Sequence, residues 1–136
     1  MSLNIKEKYG LLINNEWVPA SDGAEFAVYN PANGDQLAIC AEATQADVDK
    51  AVEVATEAFK TWKHVSQVDR ADYLLKIADA IDAHKEHLAQ VETYDNGKPI
   101  RETLNVDIPL GADHFRYFAG VLRAEEGSAQ VFDENT

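Results

Sequence analysis

Thr44-Gln45-Ala46-Asp47-Val48-Asp49-Lys50-Ala51-Val52 marks the point where this 136-residue sequence changes character. Before it, apolar residues come in short runs separated by turn formers. After it, they recur at helical spacing. Thr44 and Asp47 make a capping-box-like start: the threonine oxygen accepts a backbone N–H, and the aspartate faces the positive end of the helix dipole. Val48, Ala51, Val52, Ala55, Ala58, Phe59 and Trp62 then fall at i, i+3, i+4, i+7, i+10, i+11 and i+14, an unbroken stripe. Ser66-Gln67-Val68-Asp69 repeats the cap, and Ala71, Leu74, Ile77, Ala78 and Ile81 form the next stripe. A third helical run over roughly 85–95 carries Leu88 and Val91 and ends at Asn96-Gly97-Lys98-Pro99. Gly97 suits a left-handed C-terminal position, and Pro99 blocks continuation. A fourth helix is expected from about Pro109 to Glu126, with Leu110, His114, Phe115, Phe118, Ala119 and Leu122 as its apolar set and Gly127 as its stop.

Upstream of Thr44, Leu11-Leu12-Ile13 and Glu16-Trp17-Val18 flank Asn14-Asn15, a pair able to take the positive φ of a tight hairpin. Phe26–Tyr29 and Gln36–Cys40 flank Asn30-Pro31-Ala32-Asn33-Gly34-Asp35, and Asn-Gly is a strong turn signal. The first 43 residues therefore read as antiparallel hairpins, and residues 44–127 as about four helices. Residues 128–136, with Val131-Phe132, read as the start of a further strand. This α+β set is expected to be part of a larger domain, because a strand at 131–132 has no clear partner.

The formal charge is −12 and the pI about 4.6. Such a chain is poorly suited to nucleic acid or anionic lipid, which must be met by cations. No apolar run approaches the roughly 20 residues that cross a bilayer, and Met1–Lys8 has no signal-like apolar core. A cytoplasmic location is the expectation. Cys40 is the only cysteine, which excludes an internal disulfide.

Candidate chemistry is sparse. Cys40 has no adjacent His or Lys to lower its pKa, and a structural thiol is the commoner role in that setting. His84 and His87 share a helix face, but a metal needs a third ligand. His114, beside Phe115 and Phe118, reads as a partly buried histidine. None of the seven glycines forms a G-x-G-x-x-G or phosphate loop. Asp95 is the exception. A carboxylate near a helix C-terminus opposes the macrodipole, where a cation is favoured. Helix punctuation explains Gly97 and Pro99 but not Asp95. A hard monovalent cation held by Asp95 and backbone carbonyls suits the chemistry.

Glu92-Thr93-Tyr94-Asp95-Asn96-Gly97-Lys98-Pro99-Ile100 resembles the E-T-x-D-N-G-K-P segment of NAD(P)-dependent aldehyde dehydrogenases. Phe115-Arg116-Tyr117-Phe118-Ala119-Gly120 resembles the family's R-Y-[YF]-A-G helix, Ile13–Val18 its I-N-G-E-W-V hairpin, and Val28–Pro31 with Asn33-Gly34 its V-x-N-P-x-x-G turn. Asp47–Val52, Ala58-Phe59 and Trp62 match its first helix, all in family order. Arg101-Glu102-Thr103 and Asp113–Arg116 are most similar to bacterial acetaldehyde-type members.

The resemblance implies an α/β fold, with this chain as the N-terminal part of a Rossmann-like cofactor-binding domain. It also implies a small aldehyde substrate, NAD or NADP bound mainly by residues beyond this segment, and a homo-oligomer, dimeric or tetrameric, built partly through residues 128–136. The family's nucleophilic cysteine, its glutamate and its main cofactor contacts fall outside the matched region. No catalytic or cofactor-binding residue is therefore assigned, and the segment alone is expected to be catalytically incompetent. Carried over residue by residue, Asp95 and the backbone oxygens of Val28 and Tyr29 correspond to contacts of a structural K⁺ or Na⁺. The family often has Thr where Val28 stands, so one hydroxyl contact is missing here. Leu110 corresponds to a position lining the substrate entry tunnel. The alternative is a naturally truncated, non-catalytic folding or assembly module of the same family.

Overall fold

The computed structural model describes residues 4–127. Five short strands precede the helices: β1 (Lys8–Tyr9), β2 (Leu11–Ile13), β3 (Glu16–Val18), β4 (Glu25–Tyr29) and β5 (Gln36–Ala41). Strands β2 and β3 form the hairpin expected around Asn14-Asn15. Both asparagines have positive φ, 53° and 66°, matching a turn whose twist follows that of its strands. Strands β4 and β5 pair antiparallel, with Phe26 opposite Cys40 and Val28 opposite Ala38. Their connecting turn closes on Asn30, which is buried. Its N–H donates to the Asp35 carbonyl at 2.8 Å, its Oδ1 accepts from Ala32 N–H at 2.9 Å, and its carbonyl accepts from Gly34 N–H at 2.8 Å. Strand β1 departs from the purely antiparallel expectation. It lies parallel to β5, Lys8 beside Ile39 and Tyr9 beside Cys40, giving the order β1-β5-β4. Two residues pairing some 30 positions away leave no local turn signal to read.

Helix α1 (Gln45–Trp62) opens with the capping box in full: Thr44 Oγ1 accepts from Asp47 N–H, and the Asp47 carboxylate accepts from Thr44 N–H at 2.9 Å. The same carboxylate takes Ser21 N–H at 3.1 Å and so ties the loop before β4 to the helix. Helix α2 (Gln67–Ala83) is capped by Ser66, and α3 (Lys85–Asn96) ends on Gly97 at φ 78°.

The last helical region starts earlier than expected. Pro99 ends α3 but also leads directly into a short helix, α4 (Ile100–Glu102). A π-turn over Thr103–Asp107 then joins it to α5 (Ile108–Ala124). Pro109 explains the widening: it has no N–H to give, and its ring would strike the carbonyl four residues back. Ile108 N–H instead reaches the Thr103 carbonyl, five residues back. The Asn105 side chain donates to the Arg101 carbonyl at 2.9 Å.

Helices α2 and α5 pack through small residues, with Ala71 and Ala78 buried on one and Ala112 and Ala119 on the other. Arg116 crosses the pair to both Asp79 (2.9 Å) and Asp82 (2.7 Å). This packing rotates α5 from the expected stripe: Phe115, Ala119 and Leu122 face inward, whereas Leu110, His114 and Phe118 are exposed. His114 is thus a surface residue and not a partly buried one. The buried apolar side chains are all alanines, and the large apolar residues of α1 lie open. Residues 128–136, where a strand is expected, lie outside the described residues. Among those that are described, no helix is long and apolar enough to cross a membrane.

Candidate functional site

The end of α3 and the β4–β5 turn meet. Gly97 takes the left-handed conformation, its N–H donates to the Thr93 carbonyl at 3.0 Å, and Lys98 N–H donates to Asn96 Oδ1 at 2.8 Å. A β-carbon on Gly97 would lie 3.0 Å from Pro31 Cγ, so the turn following β4 sits directly against the helix end.

Beside this junction is a cavity of about 140 Å³ lined by Val28, Asp95, Tyr9, Cys40, Val91 and three further apolar side chains. Two of the candidate cation residues, Asp95 and Val28, therefore come together across 67 positions of sequence. Tyr29 is at the end of β4 and is not among the walls. The ladder register slips between Val28 and Tyr29. Such an irregularity disrupts the local ladder, and the residue it leaves without a partner in the register is Leu37 of β5.

The electrostatics favour a cation here. The last carbonyls of α3 carry partial negative charge, and the Asp95 carboxylate adds a full one. Lys98 is the nearest cationic side chain in sequence, but it is engaged elsewhere. Its ammonium pairs with Asp107 in the π-turn, and that bond raises the Lys98 pKa above its ordinary value. Among the described residues, none forms an ion pair with Asp95. A carboxylate, the helix C-terminus and an interrupted strand at one small cavity fit a hard monovalent cation, although most of the walls are apolar.

Leu110 is elsewhere, in the first turn of α5 and half-exposed. Val106, four residues earlier and within the π-turn, is equally open. The expected helix start at Pro109 left Val106 outside any helix. His84 and His87 line a broad, open depression with Asp82, Lys85 and Glu86. No group of three metal-ligating side chains occurs among the described residues.

The glycines with positive φ, Gly23, Gly34 and Gly97, sit in turns or at a helix end, and none opens a helix after a parallel strand.

The model of the aldehyde dehydrogenase family matches residues 17–136. An acetaldehyde dehydrogenase from Pseudomonas aeruginosa is 48% identical over 134 residues, which is 98% of this chain and 26% of that protein. The NAD⁺ complex of an aldehyde dehydrogenase from Bacillus cereus superposes with a TM-score of 0.90 at 38% identity, over 98% of this chain and 27% of that one. An NAD-dependent aldehyde dehydrogenase from Sinorhizobium meliloti gives a TM-score of 0.86 at 36% identity, over 93% and 26% of the two chains. The chain thus spans about a quarter of the length of the relatives it matches. With nearly its whole length matched in both sequence and fold, this chain belongs to the aldehyde dehydrogenase family.

Proposed function

We propose that this chain is the N-terminal part of an enzyme that oxidises a small aldehyde to a carboxylic acid with NAD(P), and that its residues build the scaffold and not the reacting centre. One observation carries this reading: near-complete coverage of the chain by relatives four times as long, two of them at 45% and 48% identity. The one cysteine lines the Asp95 cavity, within the β1-β5-β4 sheet, and is assigned no catalytic role in this reading. In this reading Leu110 and Val106 present an apolar face to the aldehyde's path, and the chemistry and most cofactor contacts come from the remaining polypeptide. Assembly into a homo-oligomer through residues 128–136 and a cytoplasmic location belong to the same reading.

Asp95, with the main-chain oxygens of Val28 and Tyr29, holds K⁺ or Na⁺ in this proposal. The shared cavity and the register slip support it.

The test is NAD(P)H production from acetaldehyde, measured on the purified 136-residue chain and on the polypeptide isolated from its source. Turnover only by a polypeptide several times heavier than 15.0 kDa is the expected result. Turnover by the 136-residue chain itself would reverse the assignment of catalysis to other residues.

A further inference from the structure

Asn-Gly occurs twice in the chain, at Asn33-Gly34 and at Asn96-Gly97, and both asparagines are exposed. Asparagine is a thermolabile residue, and a following glycine leaves the next main-chain nitrogen unshielded by any side chain. The two copies share one local geometry. Each glycine is left-handed, at φ 80° and 78°. Each asparagine Oδ1 accepts the N–H two residues on, from Asp35 at 3.0 Å and from Lys98 at 2.8 Å. Such a side-chain turn mimics a backbone turn and folds the amide carbon over the glycine nitrogen. The donated N–H also faces the oxygen on which negative charge develops when that nitrogen attacks.

The copies differ in what restrains them. Asp35 clamps the Asn33 amide at both ends, because its carboxylate also accepts from Asn33 Nδ2 at 2.7 Å. Gly34 N–H donates at 2.8 Å to the carbonyl of Asn30, the buried centre of the β4–β5 turn. At the second copy, Asn96 Nδ2 reaches Glu92 Oε1 only at 3.5 Å. Gly97 N–H donates at 3.0 Å to the Thr93 carbonyl, the closing main-chain bond of α3, and helix ends open at low cost.

We propose that Asn96 is a modification site that converts through a cyclic imide to aspartate and isoaspartate, while the same dipeptide at Asn33 is held back by its turn. Solvent hydroxide takes the Gly97 N–H proton once the bond to Thr93 opens. The nitrogen attacks Asn96 Cγ and forms the N–Cγ bond. The Cγ–Nδ2 bond breaks, and Nδ2 leaves as ammonia with a proton from water. Water then opens the ring. Cleavage at Cγ gives aspartate, and cleavage at the main-chain carbonyl gives isoaspartate, in which the chain runs through Cβ. Nothing is oxidised or reduced. Either product adds a carboxylate next to Asp95 at the negative end of the α3 dipole. Isoaspartate also lengthens the chain just before the contact of Gly97 with Pro31. This chemistry does not depend on whether the chain belongs to a longer polypeptide.

The polypeptide isolated from its source is aged in mildly alkaline buffer, with and without denaturant, and both sites are followed by peptide mass spectrometry. In native buffer Asn96 is expected to convert about ten-fold faster than Asn33, because opening one helix-end bond costs less than dismantling the turn. In denaturant the two rates should converge, since glycine follows both. Equal rates in native buffer, a faster Asn33, or no conversion of Asn96 while the denatured polypeptide converts would each overturn the proposal. The same ratio in denaturant would assign the difference to flanking sequence and overturn it too. Aspartate without isoaspartate at position 96 would remove the imide route.

Discussion

Gly97 and Pro31 are in van der Waals contact across the junction of α3 and the β4–β5 turn, so close that a β-carbon on Gly97 would lie 3.0 Å from the Pro31 ring. This contact positions Val28 and Asp95 around one cavity, and it exists because Gly97 has no side chain and takes φ 78°. Gly97→Ala therefore faces two penalties, a left-handed backbone costing about 1–2 kcal/mol and a crowded ring. The variant should lose at least that much stability in urea unfolding, whereas Gly127→Ala, at a position where a β-carbon would meet nothing within 4 Å, should lose little.

Asp95→Ala should lower the thermal midpoint more in KCl or NaCl than in tetramethylammonium chloride at equal ionic strength. The methyl groups of tetramethylammonium hold its charge away from the Asp95 carboxylate and the main-chain oxygens, so it cannot be coordinated as K⁺ or Na⁺ is. Thermal melts in the two salts make the comparison, and equal losses in both would remove the cation from this site.

Thr103 is fully buried. Its hydroxyl lies 3.1 Å from the Ala89 carbonyl and 2.9 Å from Thr93 Oγ1, joining the π-turn to α3. Thr103→Val keeps the shape but strands these partners, at a cost of about 1–3 kcal/mol. Thr103→Ser keeps the hydroxyl and should be milder. A larger loss for serine than for valine in chemical denaturation would mean that methyl packing outweighs the hydrogen bonds.

Asp47 titrates below the ordinary aspartate value because Thr44 N–H and then Ser21 N–H donate to its carboxylate. A depressed folded-state pKa contributes stability that is complete above the unfolded value of 3.8 and is lost as pH falls through the folded value. The stability gap between the parent chain and Asp47→Asn should therefore be constant near neutral pH and close below about pH 4. Urea midpoints measured from pH 7 to pH 2.5 will show this. A gap that persists unchanged at the acid end would contradict it.

Lys98 shows the opposite sign. Its pairing with Asp107 raises its pKa, so that contribution holds at neutral pH and disappears only as the solution becomes strongly alkaline, past the ordinary lysine value of 10.5. Lys98→Met should destabilise the chain at pH 8, and the difference from the parent should shrink on approach to the alkaline limit in denaturation series.

Local signals in the sequence determined the local structure. Asn14-Asn15 specified its turn, Thr44 and Ser66 their helix starts, and Gly97 a helix end, because each of these acts through hydrogen bonds or backbone sterics within about four residues. Asp95 stood out in the same way, as a charge on the wrong end of a dipole. Tertiary structure alone decided the rest. Strand β1 lies parallel to β5 through a partner some 30 residues away, a pairing with no signature in either segment. The inward face of α5 was set by close approach of alanines on α2, which outweighed the apolar periodicity that favoured Leu110 and Phe118. Lys98 chose Asp107 over Asp95 because the π-turn ahead of Pro109 brought Asp107 within reach, and that choice left Asp95 beside Val28 with no ion pair among the described residues. Capping and turn chemistry are local and can be read along the chain, whereas charge pairing and burial depend on which surfaces meet in space.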